Sequence, residues 1–351
     1  MDAENLSGAE NLSDAEFHSD AENLPGYESA YSSAAFFIQS SAGYLRVSGP
    51  DQSAFLQRQT TNDLGLLQAG RALLNVLTSS TARILDVFYL LQSIDEDGEG
   101  VIDAITLAGR GAETAGFLKS RIFFMDKVAV RDMSAEIVQI DLIGPQAGIL
   151  LQQVGAAQLP TRDAFIETEI QSAPVRVLLP DRSFGLGYRL LISSHDSDEV
   201  LQALIGAGAV RLEAESYLIL RVEAGQPEAD YELTADYTPL ETGLEAAVAD
   251  GKGCYTGQEI IARQITYDKV TQHLCGIFME KACQAGERVW AEGKAVGKLT
   301  SSVNSPRFGS IGLAILKRTH NAPGTALRIG AQSEGGTPAV VASLPFDERT
   351  L

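Results

Sequence analysis

One short pattern occurs twice in this 351-residue chain and constrains its fold more than any other feature. Residues 47–57 and 142–152 each begin with an apolar residue, continue through a Gly-Pro pair and end in a stretch whose apolar residues have helical spacing. The second copy follows the first at a constant offset of 95 residues. A strand that ends at a Gly-Pro turn and continues into a helix accounts for both copies. Related units within one chain indicate structural repeats that pack on each other. The sequence therefore predicts two related α/β lobes.

The segments around the two copies are typical of an α+β protein. Strands rich in β-branched and aromatic residues are predicted at 36–38, 44–47, 84–92, 101–107, 137–143, 174–179 and 187–192. Helices are predicted at 51–64, 111–124, 145–155 and 196–208. After residue 271 the sequence predicts only short strands separated by turns, which is typical of a small β-barrel. We therefore expect lobes at 35–135 and 136–271 and a barrel at 272–351.

Residues 1–34 differ from the rest of the chain. Ala-Glu-Asn-Leu occurs at 3–6, 9–12 and 21–24, and the first 25 residues contain acidic side chains but no lysine or arginine. Such a segment buries too little apolar surface to offset its ordering entropy, so we predict a disordered acidic tail at 1–34. Its acidity argues against a mitochondrial presequence, and no secretory signal is evident. A cytoplasmic location is the resulting expectation.

The composition excludes several classes of function. The formal net charge is −19, which argues against direct contact with a nucleic-acid backbone. No run of about 18 apolar residues predicts a membrane span. Three cysteines without a C-x-x-C pair fit a reducing compartment. Four histidines are scattered without ligand spacing, so we predict no intrinsic metal site.

The stretch Lys252 to Glu259, Lys-Gly-Cys-Tyr-Thr-Gly-Gln-Glu, concentrates the residues most typical of chemistry. Thr256 and Glu259 have the spacing of a capping box and predict the start of a helix. Cys254 then lies just upstream of a helix N-terminus and near Lys252, and both features favour its thiolate. The alternative interpretation is that the glycines form a tight turn and Cys254 only fills apolar space.

This stretch and several others resemble one known family, the YgfZ-type folate-binding proteins of the glycine-cleavage T-protein (GcvT, aminomethyltransferase) superfamily. The matching motifs are Phe55–Leu64, Leu220–Gly225, Thr238–Glu241, Lys252–Glu259, Ile311–Ala314 and Pro323–Thr325. The resemblance implies two lobes around a central folate-binding cavity, followed by a small C-terminal barrel. It also implies that the chain binds tetrahydrofolate or a one-carbon derivative. The implied role is that of an accessory protein for iron–sulfur cluster assembly or repair, with iron–sulfur proteins, including tRNA-modifying enzymes, as clients.

The resemblance also suggests which residues contact folate. Glu223 is the candidate for pterin recognition, because a buried carboxylate can accept from both donors of an amino-pyrimidine edge. Asn62 and Asp63 are expected at the cavity wall. Arg221 and Lys252 are expected to face the glutamate tail or to shape the anionic side of the pocket. The alternative for each is an ordinary structural or solvated position.

Asp86 and Cys254 are the candidate catalytic residues. The catalytic T-protein carries a paired Asp-Asp in the corresponding strand, whereas this chain offers Asp86 alone, in either position of the pair. A folate-dependent aminomethyltransferase is therefore an alternative to the accessory role, and an interaction scaffold without ligand is a third. The sequence does not choose between folate as substrate and folate as structural ligand.

Overall fold

The computed structural model of the chain describes residues 24–95, 97–331 and 335–346. Within these residues the α-helices are α1 Tyr27–Ser32, α2 Gln52–Gln59, α3 Gly111–Ser120, α4 Ala147–Gln153, α5 Ser197–Gly206, α6 Ala214–Glu223 and α7 Gln258–Thr266. The strands are β1 Ala35–Ile38, β2 Ala42–Ser48, β3 Ala72–Thr78, β4 Ile84–Ile94, β5 Gly100–Ala108, β6 Ala129–Asp132, β7 Ile137–Ile143, β8 Ala164–Ile170, β9 Ala173–Leu179, β10 Tyr188–Ser193, β11 Val210–Arg211, β12 Gln272–Met279, β13 Arg288–Ala291, β14 Lys294–Ser305, β15 Gly309–Lys317, β16 Ala326–Ile329 and β17 Thr337–Ala342. They form two open sheets and one closed barrel.

The first lobe is a five-stranded sheet in the order β3-β4-β5-β2-β6. Alternate side chains of a strand point to opposite faces, and both faces of this sheet are covered. Phe88 and Leu90 of β4 pack in the core that includes Phe55 of α2. Val87 and Tyr89, on the other face, pack in the core shared with the second lobe. This shared core joins the lobes.

The second lobe is a six-stranded sheet in the order β11-β1-β7-β10-β9-β8. Its outer face is covered by α4 and α5, with Leu150 and Leu204 buried there. Strand β1 was expected in the first lobe, but the structure places it here. The reason is its register with β7, in which Phe36 lies opposite Leu142 and both side chains are buried in the core of this lobe.

The repeated pattern is strand, turn and helix in both copies, as the sequence predicts. Gly49 follows β2 with φ of 104°, and Gly144 follows β7 with φ of 121°. A Cβ at Gly49 would lie 2.2 Å from the carbonyl oxygen of Lys127, and one at Gly144 would lie 2.5 Å from that of Ser33. Only glycine fits such a close approach at positive φ, so the same residue type recurs at both turns.

The N-terminal prediction is wrong for part of its range. Residues 1–23 of the expected tail lie outside the described residues, but residues 27–32 form helix α1. Tyr27 is fully buried, and its hydroxyl donates to the Glu223 carboxylate at 2.5 Å. Apolar side chains at Tyr27 and Ala30 give this segment a packed face, which the acidic composition upstream does not reveal.

The C-terminal barrel is closed in the order β12-β15-β14-β13-β16-β17, which confirms the predicted small barrel. Its interior is filled by apolar side chains such as Ile277, Leu299 and Val341. Helix α6 packs Tyr217 and Leu220 in a core that also holds barrel residues. The predicted architecture of two α/β lobes followed by a barrel is confirmed. None of the helices in the described ranges is long and apolar enough to cross a membrane.

Candidate functional site

A cavity of about 390 Å³ lies between the two lobes. Its wall combines residues of the first lobe, residues of the second lobe and one residue of the segment that joins α6 to α7. They are Asn62, Leu66, Gln68, Arg71, Ala72, Leu73, Leu74, Asp163, Asp181 and Ala246. The volume falls within the range of small-molecule sites, about 300–1,000 Å³. This cavity is the candidate ligand site.

Hydrogen bonds from Tyr89 and Ser183 hold the two carboxylates of the cavity in place. Tyr89 donates to Asp163 Oδ1 at 2.6 Å and accepts from the backbone N–H of Asp181 at 2.6 Å. Burial, together with the hydrogen bond to Asp163, raises the pKa of Tyr89 well above its usual value, so the hydroxyl remains protonated. Ser183 donates its backbone N–H and its hydroxyl to Asp181 Oδ1 at 2.9 and 2.8 Å. Both carboxylates are therefore fixed before any ligand binds.

The remaining groups of the wall give the cavity a mixed character. Within the described parts of the chain, no donor contacts the second carboxylate oxygen of Asp163 or of Asp181. Arg71 is exposed and adds a guanidinium. Leu66 and Leu73 supply apolar surface. The cavity thus combines free carboxylate acceptors, a cation and apolar contacts, which suits a ligand that carries both N–H donors and carboxylates.

Asn62 lies in the cavity wall, where the resemblance places it. Its amide Nδ2 donates to the carbonyl oxygens of Leu74 and Ala246 at 2.9 and 3.0 Å, and its Oδ1 accepts from the backbone N–H of Asp63 at 2.9 Å. The backbone N–H of Asn62 donates to the side chain of Asn75 at 2.7 Å. The Asn62 side chain therefore ties the turn after α2 to β3 and to the segment before α7.

The side chain of Asp63 stabilises the same turn through two hydrogen bonds. Its carboxylate accepts from the backbone N–H of Gly65 at 3.0 Å and from the side chain of Gln57 at 2.9 Å. The Gly65 hydrogen bond is the main cause that lowers the pKa of Asp63. Asp63 caps the short 3-10 turn that carries Leu66 and is not part of the cavity wall.

Lys252 lies beneath this turn rather than in the cavity. Its ammonium donates to the carbonyl oxygens of Thr60 and Asn62, both at 2.6 Å, and lies 5.0 Å from the centre of the Tyr255 ring. Burial lowers the pKa of Lys252 to about 8. The expected contact of Lys252 with a ligand tail does not fit this geometry, because its ammonium is directed at two backbone carbonyls. It supports the cavity wall at Asn62.

Cys254 is exposed in the loop just after Lys252. The loop is fixed at Thr256, whose backbone N–H donates to the Arg58 carbonyl at 3.3 Å and whose carbonyl accepts from the Thr78 hydroxyl at 2.7 Å. The thiol is therefore presented to solvent by a loop tied to the end of α2 and the end of β3. An exposed position excludes the alternative in which Cys254 fills apolar space.

The predicted capping box at Thr256 and Glu259 is wrong, although a helix does begin nearby. Helix α7 starts at Gln258, and Gly257 precedes it with φ of 84°, a conformation that favours glycine. No side-chain cap is formed there. The Glu259 carboxylate instead accepts from Arg263, one turn later, at 2.6 Å.

Glu223 is buried at the junction of α1, α6 and the barrel, and it is not part of the cavity wall. Its carboxylate accepts from the hydroxyls of Tyr27 and Ser305, each at 2.5 Å, and from that of Tyr31. Burial raises the pKa of Glu223. The expectation that Glu223 recognises a pterin does not fit this geometry, because its oxygens are engaged by the chain itself.

Arg221 occupies the same junction and is fully buried. Its guanidinium lies 2.8 Å from the Glu228 carboxylate and 3.2 Å from that of Glu232. It also donates to the Ser301 hydroxyl of the barrel at 2.7 Å. A buried charge needs such partners, so Arg221 joins the second lobe to the barrel and does not extend toward a ligand.

Asp86 is fully buried inside the first lobe. Its Oδ1 accepts from the backbone N–H groups of Val87 and Leu107 at 2.8 and 3.2 Å, and its Oδ2 accepts from the Thr114 hydroxyl at 2.6 Å. Burial raises the pKa of Asp86 to about 7. The carboxyl joins β4, β5 and α3 and does not line the cavity.

The structure thus brings Asn62, Asp63 and Lys252 together and keeps Glu223, Arg221 and Asp86 apart from them. Sequence reasoning missed Asp163 and Asp181, which lie in polar turns of the second lobe and carry no motif that distinguishes them from surface residues. In the described part of the chain, no group of three or more His, Cys, Asp or Glu side chains is arranged to hold a metal ion.

Comparison with known proteins gives two family matches. The model of the GCVT N-terminal domain matches residues 26–252, and that of the glycine cleavage T-protein C-terminal barrel domain matches residues 272–347. A solved structure, the glycine cleavage system aminomethyltransferase T from Bartonella henselae, superposes with a TM-score of 0.80 at 21% identity. The match covers 92% of this chain and 89% of that one.

Similar sequences include proteins with different names. A chloroplastic protein of Arabidopsis thaliana, named for a proposed transferase activity, is 28% identical over 87% of this chain and 69% of its own length. Aminomethyltransferases from Thermus thermophilus and Listeria welshimeri are 29% and 27% identical, over 88% and 92% of this chain and 86% and 89% of theirs.

Proposed function

This chain belongs to the family of the glycine cleavage T-protein, and we propose that it binds tetrahydrofolate or a one-carbon derivative as an accessory protein for iron–sulfur cluster assembly or repair. The observation that carries the proposal is the cavity between the lobes, in which Tyr89 donates to the Asp163 carboxylate and Ser183 donates to that of Asp181. The clients are iron–sulfur proteins, including enzymes that modify tRNA. The stretch from Lys252 to Glu259 supports the YgfZ-type branch of the family.

The wall of the cavity fits this ligand class. The amino-pyrimidine edge of a pterin presents N–H donors, which the open oxygens of Asp163 and Asp181 would accept. The glutamate tail carries carboxylates, which Arg71 would bind. Leu66 and Leu73 would cover the apolar middle of the molecule. When bound, tetrahydrofolate supplies ring nitrogens that carry one-carbon units.

Two of the residues predicted from the resemblance, Lys252 and Asn62, stabilise this wall. Lys252 donates hydrogen bonds to the carbonyls of Thr60 and Asn62, and Asn62 donates to the carbonyl of Leu74. Because Leu74 and Asn62 line the cavity, these bonds keep that side of the wall in one shape. Preorganisation of this kind strengthens binding by lowering the cost of ordering the site. Glu223 and Arg221 act further away, by fixing α6 on the barrel.

Cys254 acts outside the cavity in this proposal. Strand β3 lines the cavity at Ala72–Leu74 and contacts the Cys254 loop at Thr78. Thr78 lies four positions after Leu74 along the extended strand, about 13 Å at roughly 3.3 Å per residue. Cys254 is exposed and is not part of the cavity wall. Its thiol is therefore better placed for a partner protein than for the bound folate, and this favours the accessory role.

A folate-dependent aminomethyltransferase is the second candidate, because several relatives carry that name. Asp86 would then be the proton acceptor. Asp86 is buried inside the first lobe, and its carboxylate accepts three hydrogen bonds. This burial favours the accessory role. Tetrahydrofolate-dependent aminomethyl transfer by the purified protein, abolished in Asp86→Asn, would reverse this preference.

The central test is calorimetric titration with tetrahydrofolate. Asp181→Asn and Arg71→Ala are expected to weaken binding at least about tenfold, since hydrogen bonds to charged groups contribute about 1.5–3 kcal/mol. Asp250→Asn, which changes an exposed carboxylate that is not part of the cavity wall, is expected to bind like wild type. Wild-type protein that gives neither heat nor thermal stabilisation with tetrahydrofolate would refute the proposal, because a ligand specific for the native state must stabilise it.

The accessory role is tested separately in cells. A strain that lacks this protein would be complemented with wild type or Cys254→Ser, and the activity of an iron–sulfur tRNA-methylthiolating enzyme would be measured. We expect wild type alone to restore it. Full activity with Cys254→Ser would remove the thiol from the proposal. The cytoplasmic location stays a sequence-based prediction, and the relative from Arabidopsis thaliana is named as chloroplastic.

A further inference from the structure

The turn between α3 and β6 exposes three consecutive large apolar side chains. Phe123 is 67% exposed, Phe124 97% and Met125 73%. Exposed apolar runs of this length reduce solubility and are seldom retained without a function. Phenylalanine and methionine are also enriched in the cores of protein interfaces. We call residues 123–125 the apolar tip.

The apolar tip is held in one shape by Asp126. The Asp126 carboxylate accepts from the backbone N–H of Phe123 at 3.0 Å and from Arg58 Nη2 at 2.8 and 2.9 Å. The backbone N–H of Asp126 donates to the Phe123 carbonyl at 2.9 Å. A turn that is already ordered loses little conformational entropy when it binds.

The same arginine connects the tip to the loop of Cys254. Arg58 lies in the last turn of α2, and its carbonyl accepts from the backbone N–H of Thr256 at 3.3 Å. The apolar tip and the exposed thiol therefore flank the same helix end. A partner that covers the tip is brought next to Cys254.

The charges near the tip indicate what kind of partner fits. Lys119, Arg121 and Lys127 are all exposed on either side of it, in a chain whose net charge is −19. A basic rim favours an acidic partner surface. Charges within a Debye length of about 8 Å decide what binds at the tip, and here the local charges are basic. Because Asp126 also holds the tip in one shape, the tip suits a cleft of fixed shape in a protein better than fluid lipid.

We propose that residues 123–125 are the docking anchor for a partner protein whose apolar cleft is rimmed by aspartate and glutamate. The three apolar side chains fill the cleft, and Lys119, Arg121 and Lys127 pair with its rim. Docking places the partner at the Cys254 loop; the role of Cys254 in this contact rests on the proposed function.

The test measures binding of the full-length chain to a purified iron–sulfur tRNA-methylthiolating enzyme. Phe124→Asp is expected to weaken binding at least about tenfold, as the loss of an interface anchor does. Lys127→Glu is expected to slow association and to flatten its dependence on salt. Ile149→Asp is the matched control, because Ile149 is an apolar residue 58% exposed on α4 of the second lobe. It is expected to bind like wild type.

Three outcomes would overturn the proposal. They are equal binding by Phe124→Asp and wild type, no binding by wild type, and sedimentation with phosphatidylserine-containing vesicles that Phe124→Asp abolishes. Tetrahydrofolate titration of the same samples keeps the two proposals separate. Normal folate binding with failed docking refutes the anchor alone, whereas absent folate binding with Phe124-dependent docking refutes the cavity alone.

Discussion

Replacing Asp86 by asparagine is expected to make the stability of this protein less dependent on pH. Asp86 is fully buried, and burial raises the pKa of its carboxyl from 3.8 to about 7. Between these values the native chain keeps the Asp86 proton, whereas the unfolded chain has lost it. Unfolding then releases a proton, so the free energy of unfolding falls as pH rises from about 4 to about 7.

The magnitude follows from the two pKa values. Their difference corresponds to about 4 kcal/mol at roughly 1.4 kcal/mol per pKa unit. This contribution of Asp86 to the free energy of unfolding is fully present below pH 4 and is lost as pH rises through about 7. The amide of Asp86→Asn stays neutral throughout, and its oxygen can still accept from the backbone N–H groups of Val87 and Leu107. The free energy of unfolding of the variant is therefore expected to rise relative to that of wild type by about 3 kcal/mol between pH 4.5 and 8, because about 1 kcal/mol is already lost below pH 4.5.

Urea unfolding of both proteins at intervals across this pH range measures the difference directly. Asp250→Asn is the control, since that residue is exposed, and its profile is expected to parallel that of wild type. Parallel profiles for Asp86→Asn and wild type would show that the Asp86 carboxyl is ionised in the native state at acidic pH. Burial would then not raise the pKa of this carboxyl.

Three further predictions concern other parts of the chain. Lys252→Met removes the donor to two buried carbonyls, each worth about 1–3 kcal/mol when left unpaired, and is expected to weaken tetrahydrofolate binding in calorimetry. Cys254 is expected to react with iodoacetamide faster than Cys275, read by mass spectrometry, because Cys254 is exposed and burial raises the pKa of the Cys275 thiol to about 11. Tyr27→Phe removes a donor to Glu223 and is expected to lower the free energy of unfolding by about 1–3 kcal/mol without changing tetrahydrofolate affinity; weaker folate binding would show that the junction reaches the cavity.

Much of the fold was predictable because its signals are local. Strands such as β5 and β7 show the β-branched composition typical of strands, and the Gly-Pro turns at Gly49 and Gly144 mark both copies of the repeat. Strand β3 was missed for a physical reason. All seven of its residues are buried, so both faces are covered and the alternation that identifies a half-exposed strand is absent.

The candidate site was less predictable than the fold. Glu223 stands in a family motif, yet its partners Tyr27 and Ser305 are 196 and 82 residues away in sequence. No local pattern shows that these hydroxyls occupy its carboxylate. Asp163 and Asp181 line the cavity, and both are hydrogen-bonded to Tyr89, a residue of the other lobe.

The sequence by itself determined the repeated lobe, the barrel and the family, because periodicity, glycine turns and short motifs are properties of neighbouring residues. Only the tertiary structure decided which polar side chains line the cavity and which are engaged at the junction with the barrel. The physical reason is that a buried polar group is directed by its hydrogen-bond partners. In this protein most of those partners come from distant parts of the chain.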